Sequence, residues 1–565
     1  MTHFTKFEKG TVKASPIFLG ILLFINSISA QIVYEPMEKD VYSFLERLSQ
    51  KGIIEVDNLV KPLSKKYIAD KLIEAKNKID FLTDLEKDEL KFFEKDYFFE
   101  IQGFDERNVD KKSLSYFEGD GAERFRFFSY SDNTFKLTAN PILGFKFTYP
   151  ERDRIIHSWM GISSYAYFLN SFGISLNFKT NNEKGTGIDI KKNFTPETGV
   201  IPEVHDYGKD IAYSEVNSSL SVDWKWGNLV IAKDYIEYGY AKFGNLILSN
   251  KAPSFPYIRI DLKPVDWFKF YYFHAWLSSN VIDSVNLDAY KRNIFIDKYL
   301  AWHAFIVTPL KGLDISFGES VVYSNKLELV YLMPFMFYYL ADEFISNRQN
   351  KPGDANQQIF VTLSSKNHLK NTHLYGTLFI DELTIAGING SLFIDPSNVD
   401  FSSDRKRTQL GFTLGLSVTD LPFENLTLTS EYTRLNPYVY GHHDSAETYE
   451  NSSYLMGHWM GHNSDLFYVD LSYRFFRGFQ ANAWGAYIRK GSSDFNWAYK
   501  APQPEFLFGL KNYYKYFGIN LNYELIHELN FETKFKLSTI SNEQEDGSFK
   551  DKQSEEFSFS LYYGL

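Results

Sequence analysis

From about Thr134 onward, apolar and polar residues alternate with a period of two. In "NFETKFKLS" (Asn530 to Ser538), Phe531, Thr533, Phe535 and Leu537 stand opposite Glu532, Lys534 and Lys536, and "QLGFTLGLSV" and "NLTLTSEYTRL" repeat the pattern. Such alternation gives a strand one apolar face and one wet face. Roughly eighteen segments of this kind, each near the ~9–11 residues that a tilted membrane strand needs, predict a transmembrane β-barrel. Long connections fall near 181–211, 238–255, 279–298, 324–354, 383–406, 436–464, 490–516 and 542–554. Between them lie tight turns such as "KWGN" (225–228), "KPVD" (263–266), "PLKG" (309–312), "FRG" (476–478) and "IHEL" (526–529). Alternating long and short connections are the asymmetry of outer-membrane barrels, whose tight turns face the periplasm. The final "EFSFSLYYGL" puts Phe557, Phe559, Leu561, Tyr563 and Leu565 on one face, although such terminal strands usually end in Phe or Trp. The alternative, a soluble β-sandwich or propeller, lacks a visible ~40-residue internal repeat.

Before the strands the period is helical. "EKDVYSFLERLSQKG" sets Val41, Phe44, Leu45 and Leu48 at helical spacing and stops at Gly52. Ser64 is placed to cap a second helix carrying Ile68, Leu72 and Ile79, and Thr83 with Glu86 has capping-box spacing for a third. The division this predicts is a signal peptide over 1–30, a periplasmic helical bundle over 31–105, a connector over 106–133 and an outer-membrane barrel over 134–565. The leader reading rests on Lys6, Lys9 and Lys13, the apolar "PIFLGILLFI" and the small-residue end "NSISA", with cleavage after Ala30.

Aromatic residues make up 18% of the 565, with 39 Tyr and 52 Phe, which suits rings shown to lipid. The net charge of −11 becomes −13 once the leader's three Lys and one Glu are removed. That balance argues against nucleic acid and against any partner that needs a strongly basic surface. The absence of cysteine excludes lipoprotein acylation, disulfides and thiolate metal sites.

Three stretches resemble the Wzi capsule-assembly outer-membrane proteins: "VYSFLERLSQKGIIEVDNLVKPLSKKYIADKLIEA" (41–75), "YGYAKFGNLILSNKAPSFPYIRI" (238–260) and "YLMPFMFYYLADEF" (331–344), which carries Glu343. The resemblance implies an eighteen-stranded barrel with a periplasmic three-helix bundle. It also implies a non-enzymatic role in assembling or anchoring capsular polysaccharide, with outer-membrane lipid around the wall and no cofactor. Docking of the helical piece on periplasmic polysaccharide-export machinery is a further expectation. A passive or substrate-selective porin is the alternative.

In the second of these stretches Gly239 and Gly244 permit turns, Pro253 and Pro256 stiffen the return, and the apolar "NLIL" calls for inward packing. Two compatible readings follow: a plug that narrows the lumen, and a glycan platform of Asn245, Asn250, Phe255 and Tyr257. The loop "YGHHDSAETYENSSYLMGHWMGH" (440–462) reads as an exposed histidine-rich loop. Two other readings of it are a metal set from His442, His443, Asp444, His458 and His462, and a sugar-stacking surface from His458, Trp459 and His462. The aromatics of 331–358 suggest an inward-folded packing segment or an interfacial girdle, with Asp342, Glu343 and Arg348 either paired locally or facing a wet lumen. "SSDRKRT" (402–408) is a short basic run suited to acidic polysaccharide or lipopolysaccharide phosphate, or simply a solvated loop end. Neither G-x-S-x-G nor H-E-x-x-H occurs, so catalysis has little support.

Overall fold

The computed structural model describes residues 32–103, 114–151, 153–168, 171–284, 294–349, 355–383, 408–493 and 504–565. The expected signal peptide, the cleavage point and most of the basic run 402–408 lie outside the described residues. Eighteen antiparallel strands form a closed barrel running from Phe135–Pro150 to Phe549–Tyr563, and the last pairs with the first through Phe559↔Phe147 and its neighbours. A short hairpin, Leu114–Gly119 with Phe125–Ser131, joins the sheet beside the first strand. The tight turns gather on one rim and most long connections on the other. One long connection is shorter than its sequence suggests. Strands Leu529–Glu543 and Phe549–Tyr563 stay paired up to Glu543↔Phe549, leaving only 544–548 as the turn.

Alternation along each strand sorts side chains between the two faces. Met160, Ile162, Leu176, Phe317, Leu414, Phe467 and Phe517 are exposed on the outer wall. Trp226, Trp267, Phe423 and Phe476 stand exposed beside the tight turns, as a belt of rings should at a membrane boundary.

The helices occupy the tight-turn end. Helix α1 (Val41–Gln50), α2 (Lys65–Lys76) and α3 (Asp84–Asp96), followed by the short α4 (Phe98–Gln102), share a core of Phe44, Leu45, Leu48, Ile68, Leu72, Leu90 and Phe93. Ser64 Oγ accepts the Tyr67 N–H at 3.1 Å, and Thr83 and Glu86 cap α3 reciprocally. Buried ions dock this body on the rim. Arg47 meets Glu86 at 3.0 Å and also Asp420, while Lys51 bridges the same two carboxylates at 2.7 and 3.0 Å. Arg124 spans Asp96 and Glu528, Arg474 pairs with Glu89, and His527 stacks on Phe92 with ring centres 3.7 Å apart.

Candidate functional site

Above the helical body the lumen has a dry side and a wet side. Below the dry side, a polar cavity of about 1170 Å³ lined by Asp57, Arg259, Lys269, Asp314 and Lys366 lies between the helices and the strands. On the dry side, strands between Phe255–Val265 and Leu426–Leu435 turn Phe273, Trp302, Phe360, Tyr375 and Phe379 inward, and two loops from the opposite rim fill the space between them. The barrel strand preceding the first loop ends at Asp234, so Tyr238 already lies inside. Glu237–Tyr238 pairs with Val60–Lys61 of the helical body, the Gly239 N–H donates to the Leu59 carbonyl at 2.9 Å, and Lys242 meets Glu46. Tyr238 OH donates to Ser316 Oγ at 2.7 Å, and its ring meets Trp302 edge-on. The apolar "NLIL" packs inward: Leu246, Ile247 and Leu248 are all at 2% exposure or less. Gly239 and Gly244 have φ of +138° and +143°, and side chains there would strike Asn245 and His458.

The second loop, 436–463, lies against the first. Tyr440 and Tyr449 hydroxyls donate to the carbonyls of Leu246 and Ile247, and Ser249 N–H donates to Met456 O at 2.8 Å. The expectation of an exposed histidine-rich loop is therefore overturned for its latter half. His458 and His462 are at 0% and 2% exposure, and burial lowers both imidazoles to about 3. Met460 N–H and Tyr438 N–H donate to their Nδ1 atoms, each at 3.3 Å. Trp459, at 3% exposure, donates from Nε1 to Phe243 O at 2.6 Å and packs edge-on against Phe194 and Phe243. His443 remains exposed. Among the described residues no three His, Asp or Glu groups converge as metal ligands.

The nine residues singled out in the sequence thus fall into three groups. Asn245, Tyr257, His458, Trp459 and His462 are buried within the plug and its wall, with Asn245 Oδ1 accepting the Ala241 N–H at 3.2 Å. Asn250 and Phe255 line a cavity described below. Glu343 and Arg348 lie on helix α5 (Tyr338–Gln349), but their side chains are outside the described residues. That helix does not enter the lumen. The segment leading into it folds outward instead, with Tyr331 and Tyr338 covering outer-wall residues Tyr299 and Tyr323. Tyr331 OH donates to Asp342 at 3.4 Å, so this carboxylate is held locally.

On the wet side, the strands at both ends of the chain turn Lys146, Lys179, Glu183, Glu215, Lys534 and Lys536 inward. They enclose a vestibule of about 1130 Å³ at the long-loop end, with His157, Phe194, Tyr213 and Tyr235 also on its walls and Asn250 and Phe255 at the plug. Phe194 belongs to loop 186–209, where Lys192 bridges Glu183 and Glu197 at 3.2 and 3.3 Å. Lys251 sits behind this loop, its ammonium donating to Glu197 O at 2.7 Å, and burial lowers it to about 8. Two smaller cavities, of about 410 and 110 Å³, lie toward the helices, and all three share Glu38 and Lys179. The sequence signal for this lining was the polar half of the strand alternation, which includes Lys534 and Lys536. Periodicity assigns such residues to an interior without saying whether that interior is filled.

A Ser–His pair also occurs on the dry side, Ser364 Oγ to His373 Nε2 at 2.9 Å. Both residues are at 1% exposure, and Tyr240 lies edge-on against the imidazole, so a substrate has no approach to it.

A closed antiparallel barrel of this size, ringed outside by apolar side chains and plugged from both ends, defines the class: an outer-membrane β-barrel. No family model and no curated protein matches the sequence. Among solved structures the chain is similar to Wzi, described as an outer-membrane protein involved in group 1 capsule assembly in Escherichia coli and a carbohydrate-binding β-barrel. The identity is 11%, covering 95% of this chain and 100% of that one, with a TM-score of 0.55. It is also similar to OccK5 (OpdH) of Pseudomonas aeruginosa and OccAB4 of Acinetobacter baumannii, at 10% and 11% identity. Those matches cover 76% of this chain and 98% and 97% of theirs, each with a TM-score of 0.41. At 11% identity the likeness to Wzi is one of fold.

Proposed function

We propose that this barrel binds capsular or other surface polysaccharide at its long-loop vestibule and helps to hold it at the cell surface, without catalysis. The observation that carries the reading is the vestibule itself. It combines half-buried rings, which suit the apolar faces of sugars, with Lys, Glu and Asn groups that can bond hydroxyls or carboxylates. The plug gives it a floor on the dry side, and the fold shared with the carbohydrate-binding Wzi agrees. In this orientation the helical body faces the periplasm, where its outer side is available to export machinery. The test is a gene deletion, with polysaccharide retained on cells compared with polysaccharide released into the medium. Unchanged synthesis with a shift into the medium is expected, reversed by the wild-type gene and only weakly by a Lys534→Ala, Lys536→Ala variant. An unchanged partition would sink the reading.

A porin is the second reading, favoured by one observation: the three wet-side cavities follow one another down the wall past Glu38. Ion conductance across planar bilayers separates the two. Steady nanosiemens-scale opening would support the porin, and a silent or briefly flickering channel would support the plugged binding protein.

A further inference from the structure

Three strands, Phe268–Ile282, Phe295–Leu310 and Leu313–Ser324, bear an unusual outer face. Their inward positions are fixed by contacts inside the barrel. Lys269 and Tyr271 reach Asp57, while Trp302 and Ser316 meet Tyr238. The alternate positions therefore point outward, and they carry Tyr272, His274, Tyr299, His303, Glu319 and Tyr323. All six are at 8% exposure or less. A polar seam like this, left bare on a barrel wall, would face hydrocarbon with nothing to bond.

Residues 325–349 cover it. The Tyr331 carbonyl accepts from Tyr272 OH at 3.0 Å, and Tyr338 N–H donates to Glu319 Oε2 at 2.9 Å. The Tyr338 ring lies against His303 and the Tyr331 ring against Tyr323, each with centres 4.7 Å apart. Phe335 stacks on Phe270 at 4.4 Å. Phe270 stands three residues from Trp267, which belongs to the belt at the tight turns, so the segment descends most of the wall before α5 returns. Its far side shows Leu329, Met333, Phe337, Tyr339, Leu340 and Phe344, each at least 49% exposed.

We propose that 325–349 is a strap embedded in the bilayer, with lipid acyl chains as the partner of its apolar side. Continuity selects acyl chains as the occupant. The strap's exposed residues extend the outer-wall band of Ile315 and Phe317 on these strands and Leu363 on the adjacent one, and the strap seals the one polar seam described there.

The natural absence of cysteine permits a direct test. Met333→Cys and Phe337→Cys variants would each carry a nitroxide label in proteoliposomes. A Leu414→Cys label on the bare wall and an Asp546→Cys label in the 544–548 turn would serve as references. The strap labels are expected to match Leu414, relaxed by dissolved oxygen and shielded from a water-soluble nickel chelate. Labels that match Asp546 would overturn the proposal. Shielding from both reagents with spin–spin broadening in the singly labelled protein would also overturn it, by placing a second copy of the chain on the strap.

Discussion

Tyr238 and Val60 face each other as antiparallel partners inside the lumen, one on a loop from the long-loop rim and the other on the helical body at the tight-turn rim. Two segments entering from opposite ends thus share one two-stranded sheet, and the dry side of the barrel is sealed where they meet. The joint depends on Gly239, whose φ of +138° brings its N–H onto Leu59 O and would leave an added Cβ only 2.2 Å from Asn245 Oδ1. Gly239→Ala is expected to cost about 1–3 kcal/mol of local stability. Faster hydrogen exchange over 237–250, with the barrel strands unchanged, would show it. Exchange identical to wild type would mean the joint does not depend on this backbone.

Arg47 holds a second junction. It is 4% exposed and contacts Glu86, Asp420 and Thr419, so its removal leaves two buried carboxylates with only Lys51 between them. Breaking a buried network of this kind costs ~3 kcal/mol. Arg47→Met is therefore expected to loosen the helical body from the rim, read as protease cleavage within 41–96 while the barrel resists. A Glu86→Gln, Arg47→Met double variant should recover part of the loss, because it removes one orphaned charge.

Strand periodicity made the barrel legible because every residue of a closed sheet must choose between lipid and lumen. The caps at Ser64 and Thr83 were legible for a similar reason: they are local and need nothing distant. The loops were not. Inward packing of Leu246 to Leu248 followed from their hydrophobicity, but burial of His458 depends on loop 238–254 lying over it, and burial of His462 on Tyr438, Ser493 and Phe508. The outward path of 331–344 depends on a polar seam spread over three strands whose outward register no single segment reveals. The vestibule is not legible in the sequence because Lys146, Lys179, Lys534 and Lys536 lie far apart in the chain and meet only on closure.

Trp459 shows how this changes the choice of residues to test. As a sugar-stacking ring it would have to be accessible, whereas at 3% exposure it is part of the packing beneath Phe194. Trp459→Ala is expected to lose about 3–5 kcal/mol through cavity formation, seen as a lower unfolding midpoint. Phe194, half-buried at the vestibule wall, should behave differently. Phe194→Ala is expected to weaken polysaccharide binding with a much smaller stability loss. Equal effects of the two changes on binding at matched stability would count against the vestibule.

Acid should act on the plug through His458 and His462. Burial holds both at about 3, with Lys490 adding to the effect at His462, against ~6.5 in an unfolded chain. Between about 3 and 6.5 the unfolded segment therefore binds more protons than the folded one, and stability falls as pH falls. The contribution is complete above ~6.5, and each imidazole can remove up to ~1.4 kcal/mol per pH unit below it. Their Nδ1 atoms accept backbone N–H groups, so protonation also breaks those bonds. Hydrogen exchange over 436–463 is expected to exceed the intrinsic pH effect when pH drops from 7 to 4.5. A His458→Gln, His462→Gln variant should flatten that excess. Equal excess in both proteins would place the acid response elsewhere.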